Sequence, residues 1–393
     1  MIVSILLAAV NLAQVFADEA AWKKSPSDYA RYERRGTAKW GETEVWETRF
    51  VGDGEGGTGR VEMNIYNRGD DKHGKGMTEA EVLQIAEAAC PGFSKAKVQK
   101  RKLKSGGFQH EYKDEKSDPA IEINWGTSEG AVDYLRITMV KKGSKGKASA
   151  SGKNVRGKVA GNVRKEANGD VWLDNVPMVN QGDKGYCAVA TCERVLRYYG
   201  ANVDEHQLAQ MAGTTAEDGT SMEEMRETAK RMGSQYRLGY NEIVSMHGSR
   251  KEAEKELESY NKAAKAMKRP ELDASRFTAN NVFSLPRMMD AMESEVLLRA
   301  RSRDARFKKF LAGVKSRVDA GIPVFWSVRL GVFPEPDIPQ ADGGHMRLII
   351  GYNQKTHEII YSDSWGKGHE KKRMAEDKAF AITKDAFTLR PLQ

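Results

Sequence analysis

The chain has 393 residues, a formal net charge of +8, and 39% hydrophobic and 30% charged residues. This composition is typical of a soluble globular protein, and the length predicts two domains because one hydrophobic core rarely serves so many residues. Nine Lys and Arg residues between positions 141 and 165 account for the whole positive excess. The rest of the chain is near neutral and has no basic patch interleaved with aromatic residues. This distribution of charge excludes a nucleic-acid partner.

The first residues form an apolar run, "IVSILLAAVNLAQVFA". Its length and the small residues just before Asp18 are typical of a signal peptide, so we expect residues 1–17 to direct export to the periplasm or the medium. The alternative is a membrane anchor. A stable membrane span is not expected, because it needs roughly 20 apolar residues and polar residues interrupt the later part of this run.

Residues 18–140 are predicted to form a small α+β domain with a mostly antiparallel sheet. Alternating apolar residues predict strands in "GRVEMNIY" and "AIEINW", and "VDYLRITMV" is a third candidate. Thr78 and Glu81 form a capping-box pattern at the start of a helix that should end near Cys90. We find no catalytic pattern in this part of the chain.

A Gly-, Ser- and Ala-rich stretch follows at 141–169, and it contains no acidic residue before Glu166. Repulsion between its Lys and Arg side chains favours an extended conformation. We therefore interpret residues 141–169 as a flexible linker that is open to proteases, and residues 170–393 as the second domain.

The stretch "NQGDKGYCAVATCERVLRYYG" begins at Asn180 and holds two of the three cysteines. From Val189 its apolar residues recur at helical spacing, and Cys192 belongs to this apolar stripe. Cys187 precedes the stripe and should lie in the first helical turn. Unsatisfied backbone N–H groups and the helix dipole stabilise a thiolate there, so Cys187 is the candidate nucleophile.

A base and an oxyanion site are needed beside such a thiol. His345 follows two glycines in "GGHMRLIIGY" and begins a predicted strand, and Asp363 ends another strand in "IIYSDSWGKG". Two adjacent antiparallel strands would bring these side chains together; Asp342, three residues before His345, is the alternative partner. Gln181 lies six residues before Cys187, where its side-chain amide can help the backbone to hold an oxyanion.

The chain has a Gln, then five residues, then a Cys at the head of a helix, and much later a Gly-His pair and the sequence "DSWG". This series of motifs resembles the papain-like cysteine peptidases. Asp363 stands where papain has Asn, and this is similar to the bacteriocin-processing (double-glycine leader) peptidase branch. The resemblance covers residues 172–240 and 320–366. It implies an α+β fold in which a helical half packs beside a half built on an antiparallel sheet.

The resemblance implies an exported cysteine peptidase that acts on peptide or protein substrates. Cys187 would attack the scissile carbonyl, His345 would protonate the leaving amine, Asp363 would orient His345, and Gln181 would hold the oxyanion. No cofactor is required, and no Cys or His pair has the ligand spacing of a structural zinc site. Four further residues are expected to line the substrate cleft: Gly185, Tyr186, Gly344 and Trp365.

Three other possibilities stay open at this point. The same triad could serve an acyl transferase or a cell-wall amidase, and a cleft without chemistry could belong to a peptide-binding protein.

Residues 246–318 are rich in Lys, Arg and Glu, which predicts a helical insertion with solvated faces between the two halves of the second domain. The N-terminal domain is expected to be either an accessory domain or an inhibitory one.

Overall fold

The computed structural model describes residues 10–11, 30–32, 38–40, 43–45, 47–52, 58–68, 76–102, 107–128, 130–142, 159–179, 181, 187–201, 208, 227, 229–230, 236–246, 250–279, 282–340, 342–366 and 368–392. They form two compact units. The described residues before 143, together with residues 187–189 and 208, belong to the N-terminal unit, and the other described residues belong to the C-terminal unit.

The strands of the N-terminal unit are β1 (Val10–Asn11), β2 (Ala30–Tyr32), β3 (Ala38–Trp40), β4 (Thr43–Val45), β5 (Glu47–Gly52), β6 (Thr58–Asn67), β7 (Gln99–Lys102), β8 (Phe108–Asp114), β9 (Ala120–Ser128) and β10 (Ala131–Val140). Seven of them form a sheet in the order β2-β5-β6-β10-β9-β8-β7, in which all pairs are antiparallel. The remaining three form a small sheet in which β1, which lies within the expected signal peptide, runs parallel to β3.

One helix, α1 (Glu79–Ala89), packs against this larger sheet. It begins with the predicted capping box, in which Thr78 Oγ1 accepts a hydrogen bond from the Glu81 backbone and the Glu81 carboxylate accepts one from the Thr78 backbone. Val82 and Ala86 lie on the buried face of α1, and Met63 and Ile137 lie on the facing strands. Alternation of apolar residues along the strands therefore builds this core, as the sequence predicts.

The strands of the C-terminal unit are β11 (Val163–Lys165), β12 (Asp170–Leu173), β13 (Leu238–Ser245), β14 (Thr278–Ala279), β15 (Val282–Phe283), β16 (Val324–Leu330), β17 (Gly343–Asn353), β18 (Glu358–Ser362), β19 (Lys372–Ala375) and β20 (Thr383–Pro391). Its described helices are α2 (Cys187–Tyr198), of which residues 187–189 belong to the N-terminal unit, α3 (Arg250–Ala266), α4 (Leu285–Asp290), α5 (Ser294–Arg301), α6 (Ala305–Asp319) and α7 (Glu376–Ile382). A mixture of helices and antiparallel strands confirms the predicted α+β class.

Eight strands form the main sheet of this unit, and β17 lies at its centre. Along one edge β17 pairs first with β16 and then with β12, and along the other edge it pairs with β18. The order continues from β16 through β20 to β13. All these pairs are antiparallel, so the start of β17 and the end of β18 lie near one another.

Residues 250–301, within the range predicted as an insertion, form helices with a small core of their own. Helices α3, α4 and α5 enclose buried apolar side chains that include Tyr260, Met288 and Leu297. The short hairpin of β14 and β15 lies between α3 and α4. Helix α6, in contrast, packs against the main sheet through β13 and β17.

Two expectations about the order of elements are wrong. Residues 163–165, which we interpret from the sequence as part of a flexible linker, form strand β11 and pair with β12. The charge of Arg164 in this strand is compensated by Asp174, which lies 3.0 Å from it. Strand β13 precedes the insertion and pairs with β20, so the insertion separates two strands of one sheet rather than a helical half from a sheet half.

The sequence predicts no stable membrane span, and such a span would require a long apolar helix. Within the part of the chain that the structure describes, no helix is both long enough and apolar enough to cross a membrane.

Candidate active site

Helix α2 begins at Cys187, as the position of the apolar stripe predicts. Cys187 is partly exposed, whereas Cys192, on the stripe, is fully buried. Burial raises the pKa of the Cys192 thiol strongly, and it also raises the pKa of Cys90 in the N-terminal unit. Of the three thiols, Cys187 therefore has both the exposure and the helix position that favour a reactive thiolate.

Helix α2 is hydrogen-bonded to the strands that carry the other predicted residues. Thr191, one turn after Cys187, donates from its hydroxyl to the carbonyl oxygen of Met346 at 3.4 Å. Arg194 donates to the carbonyl oxygen of Asp363 at 2.9 Å and to Oγ of Ser362 at 2.5 Å. Burial lowers the pKa of Arg194 to about 10, so the guanidinium remains charged near neutral pH.

His345 and Asp363 form a buried pair. His345 Nε2 lies 2.7 Å from Asp363 Oδ1, and both side chains have no exposed surface. The pairing of β17 with β18 brings them together, because Leu348 lies opposite Ser362 and the chain continues directly to Asp363. Asp342, the alternative partner, is exposed.

A second charged side chain contacts the same carboxylate. Arg347 Nε lies 3.0 Å from Asp363 Oδ2 and 3.2 Å from Oδ1. Its other end is bound to Glu335, with Nη1 2.9 Å from Oε2 and 3.1 Å from Oε1. Tyr361 donates its hydroxyl to Glu335 at 2.7 Å and lies under the Arg347 guanidinium, 4.6 Å from it. We refer to His345, Asp363, Arg347, Glu335 and Tyr361 as the His345 cluster.

These contacts control the ionisation of Asp363. Burial by itself would raise the pKa of this carboxyl, but the hydrogen bond with His345 and the charge of Arg347 together hold the pKa below its usual range. Burial by itself would lower the pKa of Arg347, but the charges of Asp363, Tyr361 and Glu335 raise it. Asp363 and Arg347 therefore stabilise each other in their charged forms beside His345.

The three residues of "DSW" hold three different parts of the site. While Asp363 binds His345, the next residue, Ser364, donates its hydroxyl to Gln181 Oε1 at 2.7 Å, and its carbonyl oxygen accepts the Gln181 backbone N–H at 2.8 Å. Ser364 therefore fixes the orientation of the Gln181 side-chain amide through its oxygen. Trp365 stacks on the His345 ring with centroids 4.1 Å apart and planes at 6°.

The turn after Trp365 closes this arrangement. Gly366 has a φ of 81°, a conformation that favours glycine, and it lets the chain return towards the end of β18. The carbonyl oxygen of His369 then accepts the Asp363 backbone N–H at 2.9 Å. His369 is itself buried against the edge of the Trp365 ring, and burial lowers its pKa.

The expected substrate-binding residues are placed in part. Gly344 is exposed at the start of β17, and its carbonyl oxygen accepts a hydrogen bond from Gln340 Nε2 at 3.2 Å. Trp365 is half-buried over His345. Gly185 and Tyr186 lie outside the described residues, so their expected role stays a prediction.

The sequence interpretation missed three residues that support the site: Arg347, Glu335 and Ser364. A signal for Arg347 was present, because residues two apart on a strand share a face and His345 is two residues before it. A charged side chain in the otherwise apolar run "MRLII" requires a buried partner. No comparable signal marks Glu335, which lies in the loop between β16 and β17.

The family of the chain follows from the comparison with known protein families. The chain belongs to the Peptidase_C39 like family, whose model matches residues 173–280 and 260–387. This family assignment confirms the resemblance noted in the sequence.

The solved structures that are similar to the chain include two peptidases. The peptidase domain of Streptococcus ComA, a bi-functional ABC transporter involved in a quorum-sensing pathway, is 14% identical over 56% of this chain and 100% of that domain, with a TM-score of 0.28. Xylellain, a cysteine protease from Xylella fastidiosa, is 12% identical over 60% of this chain and 89% of its own, with a TM-score of 0.30. No curated protein matches the sequence.

Proposed function

We propose that this protein is an exported cysteine peptidase that hydrolyses peptide bonds through Cys187, His345 and Asp363. The observation that carries the proposal is the buried His345–Asp363 pair, 2.7 Å apart, on strands to which the Cys187 helix is hydrogen-bonded. Membership of a peptidase family supports the same chemistry.

The orientation of His345 assigns its two nitrogens. Because Nε2 faces Asp363, Nδ1 is the nitrogen that would exchange protons with the thiol and the substrate. The Cys187 thiolate attacks the carbonyl carbon, the Gln181 amide holds the oxyanion, and the imidazolium gives its proton to the leaving amine. Water then loses a proton to His345 and attacks the thioester, which releases the acid product and the thiol.

A peptide library tests this proposal. We expect the wild-type protein to cleave a diverse set of peptides, and Cys187→Ala to leave them intact. Cys192→Ser is the matched control, because it changes a thiol on the same helix that lies outside the proposed site. Cleavage by Cys187→Ala at the wild-type rate would refute the proposal.

A thiol-reactive peptidyl probe separates a peptidase from a peptide-binding protein. The peptidase should be labelled at Cys187 alone, and the label should require His345. An acyl transferase or amidase would also be labelled, but it would not hydrolyse the library. Binding of peptides without labelling or cleavage would favour the binding protein.

Export is a separate part of the proposal, supported by the apolar run in residues 1–17. Expression of the full chain with its natural N-terminus, followed by N-terminal sequencing, tests it. We expect the exported protein to begin at or near Asp18. An uncleaved N-terminus in a protein retained in the cytoplasm would contradict export.

A further inference from the structure

The His345 cluster contains one cation between two carboxylates. Arg347 contacts Asp363 through Nε and Glu335 through Nη1, so a single guanidinium neutralises part of both charges. The side chains of Arg347 and Asp363 have no exposed surface, and that of Glu335 has 7%. At such depth solvent screens charges poorly, so a change in either ion pair reaches the next group.

Several contacts hold the Arg347 side chain of this cluster in one orientation. Arg347 is held at both ends, lies against the ring of Tyr361, and approaches the ring of Trp326 to 5.8 Å. Trp326 is opposite Arg347 on β16, and its indole N–H is bound to Thr383 at 2.8 Å. The guanidinium plane is therefore fixed relative to the strand that carries His345, and it fixes the carboxylate in turn.

We propose that Arg347 is a positioning residue that sets how much negative charge Asp363 presents to His345, with Glu335 controlling the strength of that effect. This inference rests on the proposed function for its catalytic meaning. An aspartate without a neighbouring cation would stabilise the His345 imidazolium strongly, and the charge of Arg347 weakens that stabilisation. Glu335 binds the opposite end of Arg347 and partly neutralises its charge. Removal of Arg347 and removal of Glu335 should therefore shift the titration midpoint of His345 in opposite directions.

Other charged groups face the cluster from neighbouring elements, and they remain unchanged in the variants below. They are Arg194 on α2, Lys384 on β20, Lys372 on β19, and His369 and Glu370 in the turn before β19; in the proposed function the Cys187 thiol also exchanges a proton with His345. Arg194 binds the backbone of Asp363, and the Lys384 ammonium approaches Gly344, the neighbour of His345. A shift measured on removal of Arg347 or Glu335 therefore comes from those two residues.

The test is an NMR titration of His345, which needs no substrate. The chain has seven histidines, and the His345 ring proton is identified by its loss in His345→Gln. In Arg347→Met/Glu335→Gln, which removes a cation and an anion together, we expect the titration midpoint of His345 to rise by about one pH unit. In Glu335→Gln alone, Arg347 acts fully on Asp363 and the midpoint should fall by a similar amount.

Two controls make the result specific. Removal of another buried pair, in Arg301→Met/Glu256→Gln, should leave the His345 midpoint unchanged. Arg347→Lys keeps the charge and should also leave the His345 midpoint within a few tenths of a unit. Shifts of opposite sign in Arg347→Met/Glu335→Gln and in Glu335→Gln support the inference; no shift in these two variants, or shifts of the same sign, overturn it. If the Arg347→Met variant does not fold, a fall of the midpoint in Glu335→Gln with no shift in Arg347→Lys supports the inference, and no fall in Glu335→Gln overturns it.

Activity then distinguishes this inference from the proposed function. In an active peptidase the alkaline limb of the pH–rate profile, which follows loss of the imidazolium, should move in the same direction as the NMR midpoint. If the NMR midpoints move as expected and no variant cleaves peptides, the role of Arg347 stands and the peptidase proposal fails. If peptides are cleaved and the midpoints do not move, the peptidase stands and Arg347 is only structural.

Discussion

Two of the arginines that the C-terminal unit buries against carboxylates, Arg347 and Arg301, differ in the group that lies at the end of the ion pair. Arg347 contacts Asp363 and Glu335 inside the His345 cluster. Arg301 pairs with Glu256 in the helical insertion and donates to the Thr383 carbonyl oxygen at 3.3 Å; we refer to Arg301 and Glu256 as the insertion pair.

The two sites have similar chemistry and depth. Both pairs are buried, and each guanidinium lies over an aromatic ring, of Tyr361 for Arg347 and of Phe380 for Arg301. The insertion pair ends on a backbone carbonyl, whereas the other ends on His345. A buried ion pair is therefore no sign of function by itself; what matters is the group at its end.

The largest effect should come from Asp363→Asn. Its amide nitrogen would face either the Arg347 Nε–H, donor against donor, or His345 Nε2, which would impose the other tautomer. We expect the rate of peptide cleavage to fall by roughly a thousand- to ten-thousand-fold, as happens when a triad loses its tautomer control. The measurement is kcat/KM on a peptide that the wild type cleaves.

The effect of Asp363→Asn should depend on whether Arg347 is present. When Arg347 and Glu335 are replaced by Met and Gln, the asparagine amide meets no guanidinium, and the loss caused by Asp363→Asn should be smaller. An Asp363→Asn variant with nearly wild-type activity would contradict the account, because it would show that the charge and the contact with Arg347 are dispensable.

The next effect concerns stability and the insertion pair. Glu256→Ala leaves the Arg301 guanidinium buried without its carboxylate, so the free energy of unfolding should fall by about 3–5 kcal/mol. Urea unfolding measures this loss. Cleavage by the remaining folded protein should keep the wild-type pH profile; a shift of that profile would remove the distinction between the two arginines.

A smaller effect is expected from Ser364→Ala. Gln181 Oε1 loses its hydrogen bond, and the amide that would hold the oxyanion is less well oriented. The cleavage rate should fall about tenfold, equivalent to the net value of one hydrogen bond, with thiol labelling retained. Added to Gln181→Ala, the change should cost nothing further. An additional tenfold loss in that double variant would show that Ser364 acts by another route.

The smallest effect follows from the lowered pKa of Asp363. The unfolded carboxyl takes up a proton near its ordinary pKa of about 3.9, before the folded one does. The stability that Asp363 contributes is therefore complete above that pH, and it is lost as the pH falls through the lower folded value. Urea midpoints measured between about pH 5 and pH 2.5 should fall less steeply in Asp363→Asn. Parallel pH curves would contradict the stabilising role of the ionised form.

The elements that local patterns determine were predictable from the sequence. The capping box at Thr78, the alternation in β6 and β9, and the start of α2 at Cys187 all depend on residues close in the chain. The strand contexts of His345 and Asp363 were equally clear. Short strand β11 was missed because its pairing with β12 outweighs a composition typical of linkers.

The supporting residues of the site depend on register, and sequence patterns do not show register. Arg347 meets Asp363 only because β17 pairs with β18 so that Leu348 lies opposite Ser362. Ser364 reaches Gln181 across a separation of 183 residues. Such contacts are set by the whole sheet, so the sequence indicated the proposed catalytic residues but not the residues that hold them.

The most direct test of the central claim is the rate at which iodoacetamide alkylates Cys187 near pH 5.5, in the wild type and in His345→Ala. An ordinary thiol has a pKa of about 8.5 and reacts very slowly at that pH, whereas a thiolate paired with an imidazolium reacts readily. We predict rapid alkylation of Cys187 in the wild type, loss of that reaction in His345→Ala, and no alkylation of buried Cys192 in either folded protein. Equal, slow rates at Cys187 in both proteins would contradict the account.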